Sequence, residues 1–507
     1  MNAALRTACA PHLSTLLGDR VTAPLDPDPV VTAITLDSRR ASPGALFLAL
    51  DGARGHGLDY LDDALAAGIA AVAYEPTGAP DAARGVAACR ARGVAAVAVP
   101  DLAVQAGDLA ARFYADPAAG LTCIGVTGTD GKTSVTRFLA SALADGGGRC
   151  GVIGTLGAGF PDAPQMTGLT TPDAVTVQAL LRQLRDDGAT HVAMEVSSHA
   201  LVQHRVAAVG FDTAVLTNLG RDHLDYHGDQ AAYAEAKAQL FRTKGLRVAV
   251  VNADDALGNR LAQELRGSSV RVLDYTLEPD GNAAVVATAL ATEAEGLRLE
   301  ARTPAGPVTV HAPVLGRFNG ANLLAVIAVL VGQGLDGATI GERLGGLKAV
   351  PGRMEPFTAP GRALAVVDYA HTDGALEAAL GALREHTRGA LWCVFGCGGE
   401  RDTGKRPLMA ASAEAGADHV VITDDNPRGE DPEAIIDGIR RGLQQPEAAR
   451  TIRPRAEAIA RVLAEAGPDD TVLIAGKGHE AEQITAVGTQ PYSDRDTVAR
   501  IQSGGAP

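Results

Sequence analysis

The sequence predicts an α/β protein of three domains. The central one is a doubly wound, mostly parallel sheet with an antiparallel β appendage, and the last is a Rossmann-like α/β domain. Three observations carry that expectation. A chain of 507 residues has room for about three domains of ordinary size. Short apolar runs alternate with helical stretches almost throughout, as βαβ units require. One of those runs ends in a glycine turn, Gly128-Thr129-Asp130-Gly131-Lys132-Thr133-Ser134, that leads directly into a helix.

The segment 1–117 reads as a small α/β domain, with strands at 30–36, 46–50, 70–74 and 95–99. Asp37-Ser38-Arg39-Arg40 follows the first strand, and the glycine-containing stretch 52–56 follows the second. Ala115-Asp116-Pro117 is a polar turn placed to act as a linker. In 118–349 the strands fall at 122–126, 191–196, 213–217 and 248–251. From 270 to 314 the pattern changes to short alternating runs with Gly, Pro and Asp turns, the mark of an antiparallel appendage, and a helix follows Asn322. The segment 350–507 has continuous apolar runs at 364–368, 391–395, 419–423 and 471–475, as expected where both faces of a parallel sheet are covered.

With 46% apolar and 21% charged residues and few aromatics, the cores must be built from Val, Leu, Ile and Ala. A net charge of −15 argues against nucleic acid as a partner. No apolar run reaches membrane-spanning length and no signal segment opens the chain, so a cytoplasmic protein is expected. The six cysteines are dispersed; Cys393 and Cys397 have no second pair, which favours buried reduced thiols over zinc.

The turn at 128–133 has the chemistry of a P-loop. Its glycines let several backbone N–H groups face one point, the helix N-terminus adds positive potential, Lys132 brings a mobile charge and the Thr133 hydroxyl suits Mg²⁺. It is the shorter G-x-x-G-K-T, because the first glycine of the longer pattern would fall on Val126.

Ligands of open α/β sheets bind beyond the carboxyl ends of the strands, and here strand after strand ends in a polar cluster. These are Glu195-Val196-Ser197-Ser198-His199, Asn218-Leu219-Gly220-Arg221-Asp222-His223, Asp368-Tyr369-Ala370-His371, Gly396 to Arg401, Asp424 to Arg428 and Gly476 to Glu480. Glu195 and the Thr133 hydroxyl suit Mg²⁺, which prefers hard oxygen ligands, and His223 is a less typical third. Arg353, Arg401, Lys405, Arg406 and Arg428 form the basic cluster that an acidic, phosphate-binding protein needs.

Gly-Thr-Asp-Gly-Lys-Thr at 128–133, Met-Glu-Val-Ser-Ser-His at 194–199, Asp-His-Leu-Asp-Tyr-His-Gly at 222–228, Val-Val-Asp-Tyr-Ala-His at 366–371 and Asp-Asn-Pro-Arg at 425–428 resemble the Mur ligases. The likeness runs from Asp37 to Asp494 and is closest to the member that adds the third residue of the peptide. The resemblance implies an ATP-dependent acid–amino-acid ligase of peptidoglycan precursor synthesis, acting as a monomer on UDP-MurNAc-L-Ala-D-Glu and a diamino acid. It assigns Ser38, Arg39, Thr170, Thr171, Ser198, Gln203 and Arg205 to the UDP-sugar substrate. Gly128 to Ser134, Asn319, Arg353, Asp368, His371 and Lys405 go to ATP. Lys237 becomes a CO₂-derived carbamate which, with Thr133, Glu195 and His223, holds Mg²⁺; Lys132, Glu195, His223 and Lys237 are the catalytic set.

In the family Asp-Asn-Pro-Arg accompanies meso-diaminopimelate, and Arg401, Asp425, Asn426, Arg428, Gly476 and Glu480 would meet that substrate. Arg428 and Arg401 suit its distal carboxylate, and Glu480 its ammonium. L-lysine and L-ornithine are the alternatives. Asp130 replaces the family's usual Asn, and Gly220 a frequent Ser. A folylpolyglutamate synthetase-like ligase is disfavoured by Asp37-Ser38-Arg39 and by Gly476-Lys477-Gly478-His479-Glu480. A non-catalytic nucleotide-binding scaffold is disfavoured by the joint presence of Lys132, Glu195, His223 and Lys237.

Overall fold

The computed structural model describes residues 10–21, 24–52, 55–79, 81–144, 148–293 and 296–505. Cys9 and residues 53–54 of the 52–56 stretch lie outside them. The chain groups into two compact units, Met1–Leu273 and Asp274–Pro507.

The first unit carries two parallel sheets. Ala33–Thr35, Ala45–Ala49, Ala71–Tyr74 and Ala95–Ala98 pair in that order. In the second sheet the order is Val248–Asn252, Thr213–Leu216, Thr122–Thr127, His191–Glu195 and Cys150–Gly154, all parallel, followed by the antiparallel Gly157–Gly159. The last two strands are absent from the sequence expectation because Cys-Gly-Val-Ile-Gly-Thr-Leu-Gly-Ala-Gly is too rich in glycine to read as one. Glycine is nevertheless required there. A Cβ on Gly151 would lie 2.6 Å from Leu184 Cδ2, and one on Gly154 2.2 Å from Glu195 Oε1.

The expected linker at 115–117 is instead pinned down. Pro117 and Ala118 are buried, and Arg185 Nη1 donates to the carbonyls of Ala115 and Asp116. The helix Leu102–Phe113 packs beside the helix Ala174–Asp186, and Ala174 and Val175 enter the core of the first sheet.

The strand Arg271–Thr276 carries the chain out of the first unit. In the second unit Val285–Glu293, Gly296–Thr303 and Gly306–Ala312 form an antiparallel meander. The antiparallel appendage joins the preceding strand through one parallel pairing, Tyr275 and Thr276 with Val285 and Val286. The turn between them is long enough to return the chain to the same end. The following helix is Arg317–Gly332 and starts before Asn319 rather than after Asn322, because Gly316 at φ 84° supplies the break.

The third sheet runs Glu355–Phe357, Leu364–Asp368, Thr471–Ala475, Leu391–Phe395, His419–Ile422 and Arg450–Thr451, parallel except for its first strand. A hairpin, Glu482–Thr485 with Gly488–Pro491, follows it. Within this unit His386 is a two-sided tie: Nε2 accepts from the Gly316 N–H at 3.0 Å while Nδ1 donates to the Glu293 carbonyl at 2.7 Å.

Arg455 is the largest fully buried side chain. It donates Nε and Nη2 to Asp494 at 2.8 and 2.7 Å, Nη2 to the Ala475 carbonyl and Nη1 to the Asp424 carbonyl. It thereby fixes the carboxyl ends of two strands. Removing one partner of such a pair strands a buried charge. Arg455→Met should lower unfolding free energy by about 3–5 kcal/mol, measured by urea titration; a loss under about 1 kcal/mol would mean that the pair is structurally idle.

Candidate active site

The P-loop fits its place through two glycines. Gly128 has φ 151°, and a Cβ there would fall 1.8 Å from Thr217 Oγ1; Gly131 has φ 83°. Only glycine adopts both conformations without strain. The helix Lys132–Ala144 begins at once. The loop is held from the neighbouring strand end, where the Asn218 carbonyl accepts from Thr129 N–H and Asn218 Oδ1 from Asp130 N–H, each at 3.0 Å. Lys132 Nζ donates to the Gly128 and Thr129 carbonyls at 2.9 and 2.8 Å. Gly220 N–H donates to Thr129 Oγ1 at 2.8 Å, and a Cβ on Gly220 would come within 3.2 Å of Thr129 Cγ2. A serine there would need Thr129 to yield slightly.

Glu195, 2% exposed, ends its strand beneath this loop. Oε2 accepts from Thr133 Oγ1 at 3.0 Å and Thr155 Oγ1 at 3.1 Å, and Oε1 from Thr155 N–H at 2.9 Å. Thr155, absent from the sequence-based set, also meets Thr170 Oγ1 at 3.1 Å. Its signal lay in the glycine-rich stretch that did not read as a strand. Thr171 Oγ1 donates to the Glu195 carbonyl at 2.8 Å and accepts from Ser197 N–H.

Of the remaining residues expected at the UDP-sugar substrate, Ser198, Gln203 and Arg205 lie together around Tyr226 and His227 in the central part of this unit. Arg205 donates to the Thr171 carbonyl and, through Nε and Nη2, to Gln203 Oε1; Gln203 Nε2 donates to Tyr226. Ser198 Oγ lies 3.0 Å from His227 Nε2. Burial holds His199 and His227 below the ordinary histidine range. Ser38 and Arg39 stand apart on the first sheet, where Asp37 caps the turn and grips the exposed Arg39 guanidinium with both oxygens.

Lys237 is 1% exposed. Nζ donates to the Gly128 carbonyl at 2.7 Å and lies 4.2 Å from the Tyr233 ring centroid. Burial, reinforced by the charge of Lys132, takes its pKa from 10.5 down to about 6. At neutral pH it is therefore an amine. His223, at φ 54°, lies 3.3 Å from Asp222 and edge-on to His199.

In the second unit the geometry refines several expectations. Arg406 leaves the basic cluster, because both Nη atoms are paired with Glu430 at 2.8 Å and the side chain is buried. Asn319 turns inward, donating to the Leu315 carbonyl and accepting from Asn322. Asp368 accepts the N–H groups of Met354 and Ala370, one on each oxygen. Arg353 lies over Tyr369 at 4.6 Å, while Lys405 Nζ donates to the His371 carbonyl at 2.7 Å.

Asn426 is also turned inward: Nδ2 donates to Glu480 at 2.9 Å, and Oδ1 accepts from Lys477 Nζ and Ile484 N–H at 3.0 Å. Arg428 has φ 53° and rests Nη1 on the Gly399 carbonyl at 2.9 Å. A Cβ on Gly398 would approach both Arg428 and Arg401, and one on Gly476 would lie 3.1 Å from Asp425 Oδ2. Among the described residues no three His, Cys, Asp or Glu side chains converge for a metal ion. No helix among them is long and apolar enough to cross a membrane.

Three family descriptions match the chain: "Mur ligase family, catalytic domain" at 30–114, "Mur ligase middle domain" at 126–330 and "Mur ligase, glutamate ligase domain" at 352–478. The UDP-N-acetylmuramoyl-L-alanyl-D-glutamate--2,6-diaminopimelate ligase of Alkalilimnicola ehrlichii is 55% identical over 475 residues, 93% of this chain and 95% of its own. The chain belongs to the Mur ligase family. A solved structure of a ligase with that same name superposes at TM-score 0.72 and 34% identity, covering 98% of this chain and 99% of its own. A Mycobacterium tuberculosis folylpolyglutamate synthase complexed with ADP and AMPPCP superposes at TM-score 0.58 and 20% identity, covering 80% and 96%, which speaks to fold alone. This Mur ligase thus has its family's three matched regions in their expected order.

The Lys237 shift makes stability depend on pH. Its folded value lies below the unfolded one, so between about pH 6 and 10.5 the unfolded chain binds the extra proton, and stability falls as the pH drops through that window. In CO₂-free buffer Lys237→Met should stabilise the fold at pH 7 by on the order of 5 kcal/mol. It should also flatten the pH dependence, both followed by chemical denaturation. An unchanged slope would refute the buried-amine assignment.

Proposed function

We propose that the protein is the ATP-dependent ligase that joins meso-diaminopimelate to UDP-MurNAc-L-Ala-D-Glu, the MurE reaction of peptidoglycan precursor synthesis. The observation that carries this reading is the Glu195 carboxylate, buried between the P-loop threonine and the loop bearing Thr170 and Thr171. That arrangement puts an ATP cradle and an acid-substrate loop on one residue, the carboxylate taking Thr133 and Thr155 while the main-chain carbonyl takes Thr171. The proposed domains are 1–117 for the UDP end, 118–349 for ATP and the muramoyl dipeptide, and 350–507 for the incoming amino acid.

A free carboxylate is a poor electrophile, so the D-glutamyl carboxylate of the substrate first takes the γ-phosphoryl group of ATP. Lys132 and the N–H groups of Gly131, Lys132 and Thr133, at the head of the helix Lys132–Ala144, are the donors for the charge spread over the transferring group. The amine of the incoming residue then attacks the acyl phosphate, and phosphate leaves. Thr170, Thr171, Ser198, Gln203 and Arg205 hold the dipeptide arm. On the nucleotide side, ATP would meet exposed His371, Arg353 where it lies over Tyr369, and Lys405 where it rests on the His371 carbonyl. Asn319 and Asp368 serve it through the backbone segments they fix.

The residues present fit Mg²⁺ and a carbamate. Thr133 and Glu195 offer hard oxygens, and the neutral amine of Lys237 is the form that adds CO₂, losing a proton to become an anionic oxygen ligand. His223 would complete the set. Mg²⁺ bound there neutralises charge on the phosphate oxygens. Nucleotide-linked substrates make the cytoplasm the expected compartment, and a monomer the expected state.

Phosphate release with ATP, Mg²⁺ and UDP-MurNAc-L-Ala-D-Glu tests the function, with diaminopimelate, lysine and ornithine supplied separately. Release much faster with diaminopimelate than with lysine or ornithine is expected; release with none would exclude the ligase. Arg428→Ala should raise the KM for diaminopimelate by on the order of tenfold to a hundredfold, as for loss of a charged pair. The KM for lysine should hardly move. Equal effects on both would remove Arg428 from the distal carboxylate.

A further inference from the structure

Lys477 is fully buried, yet it lies on the loop that ends the strand Thr471–Ala475, beside the residues assigned to the incoming amino acid. Nζ donates to Glu480 Oε2 at 2.9 Å and to Asn426 Oδ1 at 3.0 Å, with Asp425 Oδ1 4.0 Å away. Glu480 is one-third exposed, so its carboxylate stands between the buried cation and the open side of the site. Arg401 and Arg428 flank Gly398 on the same rim, and Tyr369 feels the charges of Glu480, Asp425, Arg353 and Arg401 together. The ion pairs nearby, Arg455 with Asp494, Arg453 with Asp424 and Arg406 with Glu430, are matched within themselves.

The local balance is then Lys477, Arg401 and Arg428 against Asp425 and Glu480. The far end of diaminopimelate is a zwitterion, which such a surface accepts at both poles. The far end of lysine or ornithine is a bare ammonium, which meets an excess of positive charge and a glutamate already half satisfied. Discrimination between two substrates is a difference of affinities, and a repulsive element contributes to it as much as an attractive one.

We propose that Lys477 is a specificity-determining positioning residue, a buried counter-cation that restrains Glu480 and so disfavours amino acids carrying only an ammonium at their far end. The inference rests on the ligase function proposed above. A purely structural role is the competing explanation, because Asn426 also carries the Ile484 contact to the hairpin.

The test compares kcat/KM for meso-diaminopimelate and L-lysine in the full-length protein, with ATP, Mg²⁺ and UDP-MurNAc-L-Ala-D-Glu saturating. In Lys477→Met the ratio of the two should fall by about tenfold or more, mainly through the amino-acid KM, with the KM for ATP unchanged. Lys477→Arg should keep the ratio near that of the natural protein. Asn426→Asp, which adds a carboxylate while keeping the lysine, should move the ratio in the same direction as Lys477→Met and covers the case in which that variant does not fold. Equal losses for both amino acids, or a ratio unmoved by either charge change, would overturn the proposal. A natural protein that does not turn over diaminopimelate would instead overturn the function beneath it.

Discussion

The first unit is organised around the Glu195 carboxylate. A buried carboxylate is tolerable only when its oxygens are hydrogen-bonded; Glu195 meets that demand with two segments and draws in a third through its main chain. Thr133 comes from the P-loop helix and Thr155 from the glycine-rich strand end. Thr171 binds the Glu195 carbonyl from the next loop. The absence of a side chain at Gly154 leaves the space that the carboxylate occupies. Replace that glycine and the carboxylate must move, and its partners Thr133 and Thr155 move with it.

The strands that were legible in the sequence were the apolar ones. Continuous runs such as 391–395 and 471–475 match the observed bounds because a strand covered on both faces has no other way to be written. Cys150–Gly154 was not legible, since its glycines are dictated by Leu184 and Glu195, residues more than thirty positions away. The same holds for side-chain roles. P-loop geometry follows from local chemistry, so Gly128 to Thr133 stand where their spacing put them. Arg406 looked like one more phosphate-binding cation until its partner Glu430, distant in the chain, was in view. Asn426 sits in the expected motif, but only the fold reveals that its amide faces inward.

Two buried lysines show how differently one side chain behaves according to its neighbours. Lys237 faces a carbonyl, an aromatic ring and the charge of Lys132, and loses its proton. Lys477 is buried just as deeply but sits on Glu480 and Asn426. The first is placed to act as the nucleophile of the proposed carbamate and the second as the proposed counter-ion of Glu480. Neither role is visible in the residue type, and both follow from whether a carboxylate shares the burial.

The hairpin at 482–491 grips the Asp425 to Arg428 loop mainly through the main chain of Ile484, whose N–H donates to Asn426 Oδ1 and whose carbonyl accepts from Arg428 N–H. A main-chain grip is indifferent to what side chain position 484 carries. It is sensitive to register, because a slip of one residue reverses the faces of a strand. Selection at this hairpin should therefore show as an intolerance of insertions and deletions between Glu480 and Ile484, with the amino acid at 484 free to drift while Gln483, whose amide donates to the Asp425 carbonyl, is held.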